Sequence, residues 1–215
     1  IMIRFIIFFI LLSSCSFKEQ TKVLPFIGDY DLIYKIVDGD TVIDTVYAKI
    51  PDFEYMTQDS TILSSKSLNG KILIADFFFT SCSTICPLMT QNMKYVDSAL
   101  RNYSKHLALL SFTINPDYDT PKVLKRYRKK YAILSKNWFF LRGNEKQTHQ
   151  LGIENFKVFA TRDENVSDGF AHSGAFTLVD KEGFVRGVYL GTDKKEVEKL
   201  IKDVKLLLNK EYNVN

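Results

Sequence analysis

The chain has 215 residues, 46% of them hydrophobic and 25% charged, with a formal net charge of +4. That length suits one domain with a substantial core plus short appendages. With 29 basic and 25 acidic side chains, the positive balance is too small to argue for a nucleic-acid partner.

At the N-terminus Arg4 precedes an apolar run from Phe5 to Leu12, followed by Ser13-Ser14-Cys15. The run is too short for a comfortable transmembrane helix. It resembles a bacterial lipoprotein signal, with Leu12-Ser13-Ser14-Cys15 as the lipobox. The resemblance implies a signal peptide over residues 1–14 and cleavage before Cys15. The Cys15 thiol would be lipidated, anchoring the domain to a membrane of the cell envelope, outside the cytoplasm. An uncleaved anchor is the alternative, and it leads to the same compartment. Residues 15–27 are then lipidated cysteine and tether, polar and charged as a tether should be.

The next stretch, residues 28–49, reads as a β-hairpin. Asp31 to Val37 and Thr41 to Tyr47 are rich in β-formers and flank Asp38-Gly39-Asp40. Ile50-Pro51-Asp52-Phe53 opens the main domain, residues 50–212, and leads to an apolar run from Ile72 to Phe79 that reads as a buried central strand.

Directly after that run stand Cys82 and Cys86, in a C-x-x-x-C-P motif with Pro87. Met89, Met93, Val96 and Leu100 then recur at helical spacing, so the thiols are expected where a strand ends and a helix begins. A helix N-terminus favours thiolate, which would make both sulfurs better ligands or nucleophiles. Four residues apart, they would share one face of the first helical turns. Apart from Cys15 they are the chain's only cysteines. A bridge closing so small a loop would constrain little chain entropy, so structural stapling explains the pair poorly.

Further on, Leu107 to Ile114 reads as a second strand, Thr120-Pro121 caps a helix through Tyr131, and Trp138 to Leu141 is a short strand. A polar helix covers Asn144 to Leu151. Phe176 to Val179 and Val185 to Tyr189 form a hairpin, and a final helix runs from Asp193 to about Lys210. Alternating strands and helices predict an α/β sheet with helices on both faces.

Taken together these residues resemble the thioredoxin superfamily and, within it, the Sco/SenC copper-protein family, over roughly Ile50 to Leu208. The likeness is carried by Ile50-Pro51-Asp52-Phe53, Phe79-Thr80-Ser81-Cys82, the C-x-x-x-C-P motif, Asn115-Pro116-Asp117-Tyr118-Asp119-Thr120-Pro121, and His172-Ser173 before the hairpin. It implies a thioredoxin-like fold, with a central mixed sheet flanked by helices, in which Cys82, Cys86 and His172 bind a copper ion. His172 would open a central hairpin strand facing the cysteine helix. Family members assist assembly of the dinuclear copper site of a respiratory cytochrome oxidase. The implied partner is the copper-receiving subunit, served by copper delivery, by reduction of its cysteines, or by both.

The donor chemistry agrees with that implication. Two thiolates and one imidazole form a soft set suited to Cu(I), whereas structural zinc normally takes a fourth ligand. The alternative is a thiol-disulfide oxidoreductase with Cys82 and Cys86 catalytic, one attacking and the other resolving. The C-x-x-x-C spacing and His172-Ser173, where thioredoxins place a cis-proline, count against it. A peroxidase would need a proline upstream of its cysteine, and none precedes Cys82 closely. One departure is Ala171, where the family often carries Asp before the histidine; losing that carboxylate alters the ligand's surroundings. His106 and His149 read as solvated, and Met89 and Met93 as core. Asp117 and Asp119 read either as groups biasing the thiols or partner docking, or as plain turn chemistry. Lys122, Lys125, Arg126, Arg128, Lys129 and Lys130 read as a solvated face, with attraction to anionic lipid or an acidic partner as the other reading.

Overall fold

The computed structural model describes residues 23–162 and 170–214. The expected signal peptide and Cys15 lie outside the described residues. Among those described, no helix is long and apolar enough to cross a membrane.

Strands β1 (Tyr30–Val37) and β2 (Asp40–Tyr47) form the expected hairpin. Its tip residues Asp38 and Gly39 have φ of 53° and 91°, as a two-residue type I′ turn requires. Side chains on both faces of the ribbon are exposed, Ile36 by 81% on one and Val37 by 50% on the other, so the ribbon stands away from the core. Its root is held by backbone bonds from Ala48 N–H to the Asp29 carbonyl and from Ile50 N–H to the Gly183 carbonyl.

The main unit contains β3 (Glu54–Thr57), β4 (Ile62–Ser64), β5 (Ile72–Phe78), α1 (Cys86–Ala99), β6 (Leu107–Thr113), α2 (Pro121–Lys130), β7 (Trp138–Arg142) and α3 (Glu145–Gln150). A two-stranded ribbon, β8 (Ala160–Arg162) and β9 (Phe170–His172), follows, then β10 (Ala175–Val179), β11 (Val185–Leu190) and α4 (Lys194–Leu206). Seven strands make one mixed sheet in the order β11-β10-β5-β6-β7-β3-β4. The β5, β6 and β7 strands are parallel, and the pairs outside them are antiparallel.

Both faces of β5 are covered, which is why its sequence is continuously apolar rather than alternating. On one face Phe77 stacks on Phe112 at 5.1 Å, with Phe156 at 5.7 Å. On the other, Phe78 meets Tyr127 of α2 at 5.4 Å and Phe140 at 5.3 Å. The α1 helix packs on α4, and Thr90 of α1 shares a 2.7 Å hydrogen bond with the Tyr127 hydroxyl. Asp193 caps α4 by accepting from the N–H groups of Lys195 and Glu196. Asn144 caps α3 through Gln147 N–H. Thr120 starts α2 with its carbonyl, which accepts from Val123 and Leu124 N–H, and its side chain makes no capping bond.

Beneath β11 the Arg186 guanidinium is fully buried between Asp180 at 2.8 Å and Glu211 at 2.6 Å. It also donates to the carbonyls of Leu24 and Pro25, while Val23 N–H donates to Glu211. The last residues of the expected tether are thus fastened to the domain through a buried charge cluster.

Candidate metal centre

The site begins where β5 leaves the sheet. The Phe79 carbonyl accepts the Cys82 N–H at 3.3 Å, closing a turn, and α1 starts only at Cys86, with Pro87 in its first turn. This corrects the expectation that both cysteines lie on one helical face: Cys82 is in the preceding loop. The bend of that loop, not helical periodicity, brings the thiols together. Cys86 N–H donates to Cys82 Sγ at 3.4 Å, and the Thr84 hydroxyl lies 3.5 Å from the same sulfur. Both side chains are buried, 7% and 1% exposed, and no disulfide joins them.

The Cys86 thiol is pushed far above the ordinary thiol range, first by its hydrogen bond to the Cys82 sulfur, then by burial and by repulsion from Cys82. The expectation that the helix N-terminus would favour thiolate at both positions therefore fails for Cys86. Burial and a neighbouring sulfur outweigh the partial charge of the helix end. Cys86 therefore favours its protonated form beside the Cys82 sulfur.

A buried carboxylate fixes the loop ahead of the thiols. Asp119 has no exposed surface; it accepts from Thr80 N–H at 3.0 Å, from the Thr80 hydroxyl, and from the Thr113 hydroxyl. Burial raises its pKa, and the bonds from Thr113 and Thr80 act in the opposite direction. The Asn115–Asp119 loop is held in turn by Arg142, whose Nε donates to the Pro116 carbonyl at 2.8 Å, and by His149, whose Nε2 donates to the Ile114 carbonyl at 3.0 Å. His149 is thus a bracing residue rather than a solvated one. Below the site Asp76 is buried and accepts from the Ser111 hydroxyl at 2.6 Å; Trp138 Nε1 donates to that hydroxyl at 2.9 Å. The sequence reading had no signal for Asp76, Thr113 or Arg142, because each matters through a partner distant in the chain.

His172 enters the description by its backbone alone. It ends β9, paired with Ala160, outside the main sheet, which corrects its expected place at the start of a central hairpin strand; that strand begins at Ala175. The adjoining segment still returns to the thiol helix. A Cβ added at Gly174, where φ is +66°, would stand 3.1 Å from Ile85 Cδ1 and 3.8 Å from Met89 Sδ. The Gly174 carbonyl accepts from Gly191 N–H at 2.7 Å, and the Gly191 carbonyl accepts from the Asn92 amide of α1. Among the described residues no group of three or more His, Cys, Asp or Glu side chains could hold a metal ion. The two sulfurs, buried and in hydrogen-bond contact, supply a soft donor pair suited to a soft cation.

Met89 and Met93 are buried in the core, as expected. On α2, Lys125 pairs with Asp59 at 3.1 Å. Arg128 departs from the solvated reading: it donates to the carbonyls of Trp138 and Ser135 and lies over the Phe140 ring at 5.6 Å.

Comparison with known proteins decides the family. The SCO1/SenC family model matches residues 44–209. The chain belongs to the SCO1/SenC family. A solved SCO1/SenC family lipoprotein from Bacillus anthracis is 31% identical, covering 74% of this chain and 94% of its own, with a TM-score of 0.68. BsSco, of the Sco family of cytochrome c oxidase assembly proteins, in which a disulfide switch was identified, is 32% identical over 73% of this chain and 91% of its own, at a TM-score of 0.65. Yeast Sco1 with copper bound is 27% identical over 74% and 89%, at 0.57. The fold is thioredoxin-like, as these family neighbours are.

Proposed function

We propose that this chain is a copper-binding chaperone for the dinuclear copper site of a respiratory oxidase. Copper is the cargo, taken as Cu(I) by Cys82, Cys86 and His172 and passed by ligand exchange to thiolates of the receiving subunit. The observation that carries the reading is the thiol pair itself: two buried, unbridged sulfurs in contact, with Cys86 N–H on Cys82 Sγ at 3.4 Å. The copper-bound relative supports the choice of metal, and the family lipoprotein supports an anchor at Cys15. Seven residues lie between Cys15 and Val23, so a lipid there would keep the domain within about 30 Å of the bilayer.

The test is anaerobic Cu(I) titration of the reduced full chain beside Cys82→Ser, Cys86→Ser and His172→Ala. One tightly held copper, weakened severely by each substitution, is expected. Weak binding, or binding indifferent to His172, refutes the three-ligand site. A second reading, thiol-disulfide exchange with the acceptor's cysteines, is favoured by the same geometry, two unbridged thiols close enough for Cys86 N–H to donate to Cys82 Sγ at 3.4 Å. In that step the Cys82 thiolate would attack an acceptor disulfide and release one acceptor thiolate. Cys86 would then displace the second, leaving a Cys82–Cys86 disulfide and a reduced acceptor.

A further inference from the structure

Beside the thiol loop lies a pocket of about 300 Å³ lined by Thr80, Tyr118, Val123, Arg126, Tyr127 and Lys130. Its relation to the thiols is direct. Thr80 stands two residues before Cys82, and Tyr127 is hydrogen-bonded to Thr90, one turn along α1 from Cys86.

The pocket's charge is unbalanced. Arg126 and Lys130 are four residues apart on α2, so they lie on the same face, and both are exposed. Among the described residues neither makes an ion pair; Lys130 lies over the Tyr131 ring at 5.4 Å. Their neighbours differ, since Lys125 is paired with Asp59 and Arg128 is spent on backbone carbonyls. Asp119 is not part of the lining; its carboxyl is bonded to Thr80 and Thr113 and forms no ion pair with either cation. Asp117 is exposed on the same loop but is not part of the lining. Tyr118, 56% exposed, and Val123 add an aromatic and an apolar wall.

We propose that this pocket docks an acidic segment of the protein whose cysteines meet Cys82 and Cys86, with a carboxylate side chain between Arg126 and Lys130 and an apolar neighbour against Tyr118 and Val123. The proposal rests on the reading that the thiols act on a protein partner, and it names that partner's chemistry. A bilayer engages cations spread over a face, whereas these two line a concave site with room for a side chain or two. Charge placed this way accelerates encounter and fixes orientation more than it adds affinity.

The test uses the reduced full chain and two synthetic peptides, each carrying one cysteine as its neutral 2-pyridyl disulfide. One peptide flanks it with Asp, Glu and Leu; the other replaces the acids by Asn and Gln. The Cys82 thiolate attacks the peptide sulfur, the S–S bond breaks and 2-thiopyridone leaves, giving an optical signal. Cys86 then releases the peptide thiol, so the two protein thiols supply both electrons.

The acidic peptide is expected to react roughly tenfold faster or more at low salt, within the range of electrostatic steering, with the advantage vanishing at high salt. R126E/K130E should abolish the advantage. K195E/K202E, with the same charge change on exposed positions of α4, should keep it. All variants should react alike with neutral 2-hydroxyethyl disulfide. If the reversed pair melts early, R126Q/K130Q carries the same comparison. Equal rates for the two peptides overturn the proposal, as does equal loss in both double variants. So does a charge effect seen only as binding to vesicles containing phosphatidylserine. Copper titration reads the thiols independently, so failure of the metal reading would leave this rate ratio standing.

Discussion

Replacing Asp119 by Ala isolates the group that holds the thiol loop to the sheet. The substitution removes the acceptor for Thr80 N–H and for the hydroxyls of Thr80 and Thr113. Thr80 is half-buried, so water can take over part of its bonding. Thr113 has no exposed surface; its hydroxyl still accepts from Asn115 N–H, but its O–H donor is left without a partner, which alone costs about 1–3 kcal/mol. The whole change should cost about 3 kcal/mol, which for a domain this size lowers the melting temperature by about 6–12 °C. Calorimetry of the reduced full chain measures it, and alkylation of Cys82 should quicken as the loop loosens. Asp119→Asn separates the charge from the bonds. Because burial raises the folded-state pKa, the carboxyl's contribution is fully present below its unfolded value of about 3.9 and is lost as pH rises through the folded one. The Asn variant should therefore gain on the wild type between pH 4 and pH 7. An Ala variant melting within 2 °C or so of wild type, or a pH gap of opposite sign for Asn, refutes this account of the loop.

Arg186→Met should cost about 3–5 kcal/mol by leaving Asp180 and Glu211 buried without their cation, and adding Asp180→Asn with Glu211→Gln should recover much of it; a single variant as stable as wild type in chemical denaturation contradicts the cluster's role. Replacing residues 31–46 by a short turn should change stability by less than about 1 kcal/mol, because the ribbon is exposed on both faces; a large loss of melting temperature would mean that it packs on the core. In mass-spectrometric alkylation at neutral pH, Cys82 should label faster than Cys86, because Cys86 is the more deeply buried of the two and its pKa is raised; equal rates would contradict this. Cys82→Ser removes the first cause of the raised Cys86 pKa, so Cys86 in that variant should titrate lower; an unchanged or higher value contradicts that cause.

The elements most legible in the sequence were those whose signal is local. The apolar run of β5, the Asp38-Gly39 turn and the helix starts at Asn144 and Asp193 each announce themselves within a few residues. The short strands β3 and β4 were not legible, because four and three residues carry too little periodicity. The three-residue strands β8 and β9 escaped for the same reason, and with them the place of His172 outside the main sheet. At the site the motif located the thiols but misjudged their geometry, since the Cys82 contact is made by a loop that ends where the helix begins. The bracing by Asp119, Arg142 and His149 depends on partners brought together only by folding. The raised pKa of Cys86 likewise depends on its contact with Cys82 and on burial, which no spacing rule reports.

The most direct measurement of the central claim is X-ray absorption at the copper edge on the reduced full chain loaded with one equivalent of Cu(I). The account predicts a shell of two sulfur scatterers and one imidazole nitrogen, with the nitrogen signature lost in His172→Ala and one sulfur lost in Cys82→Ser or Cys86→Ser. A shell of sulfur alone, or one unchanged by His172→Ala, would contradict it.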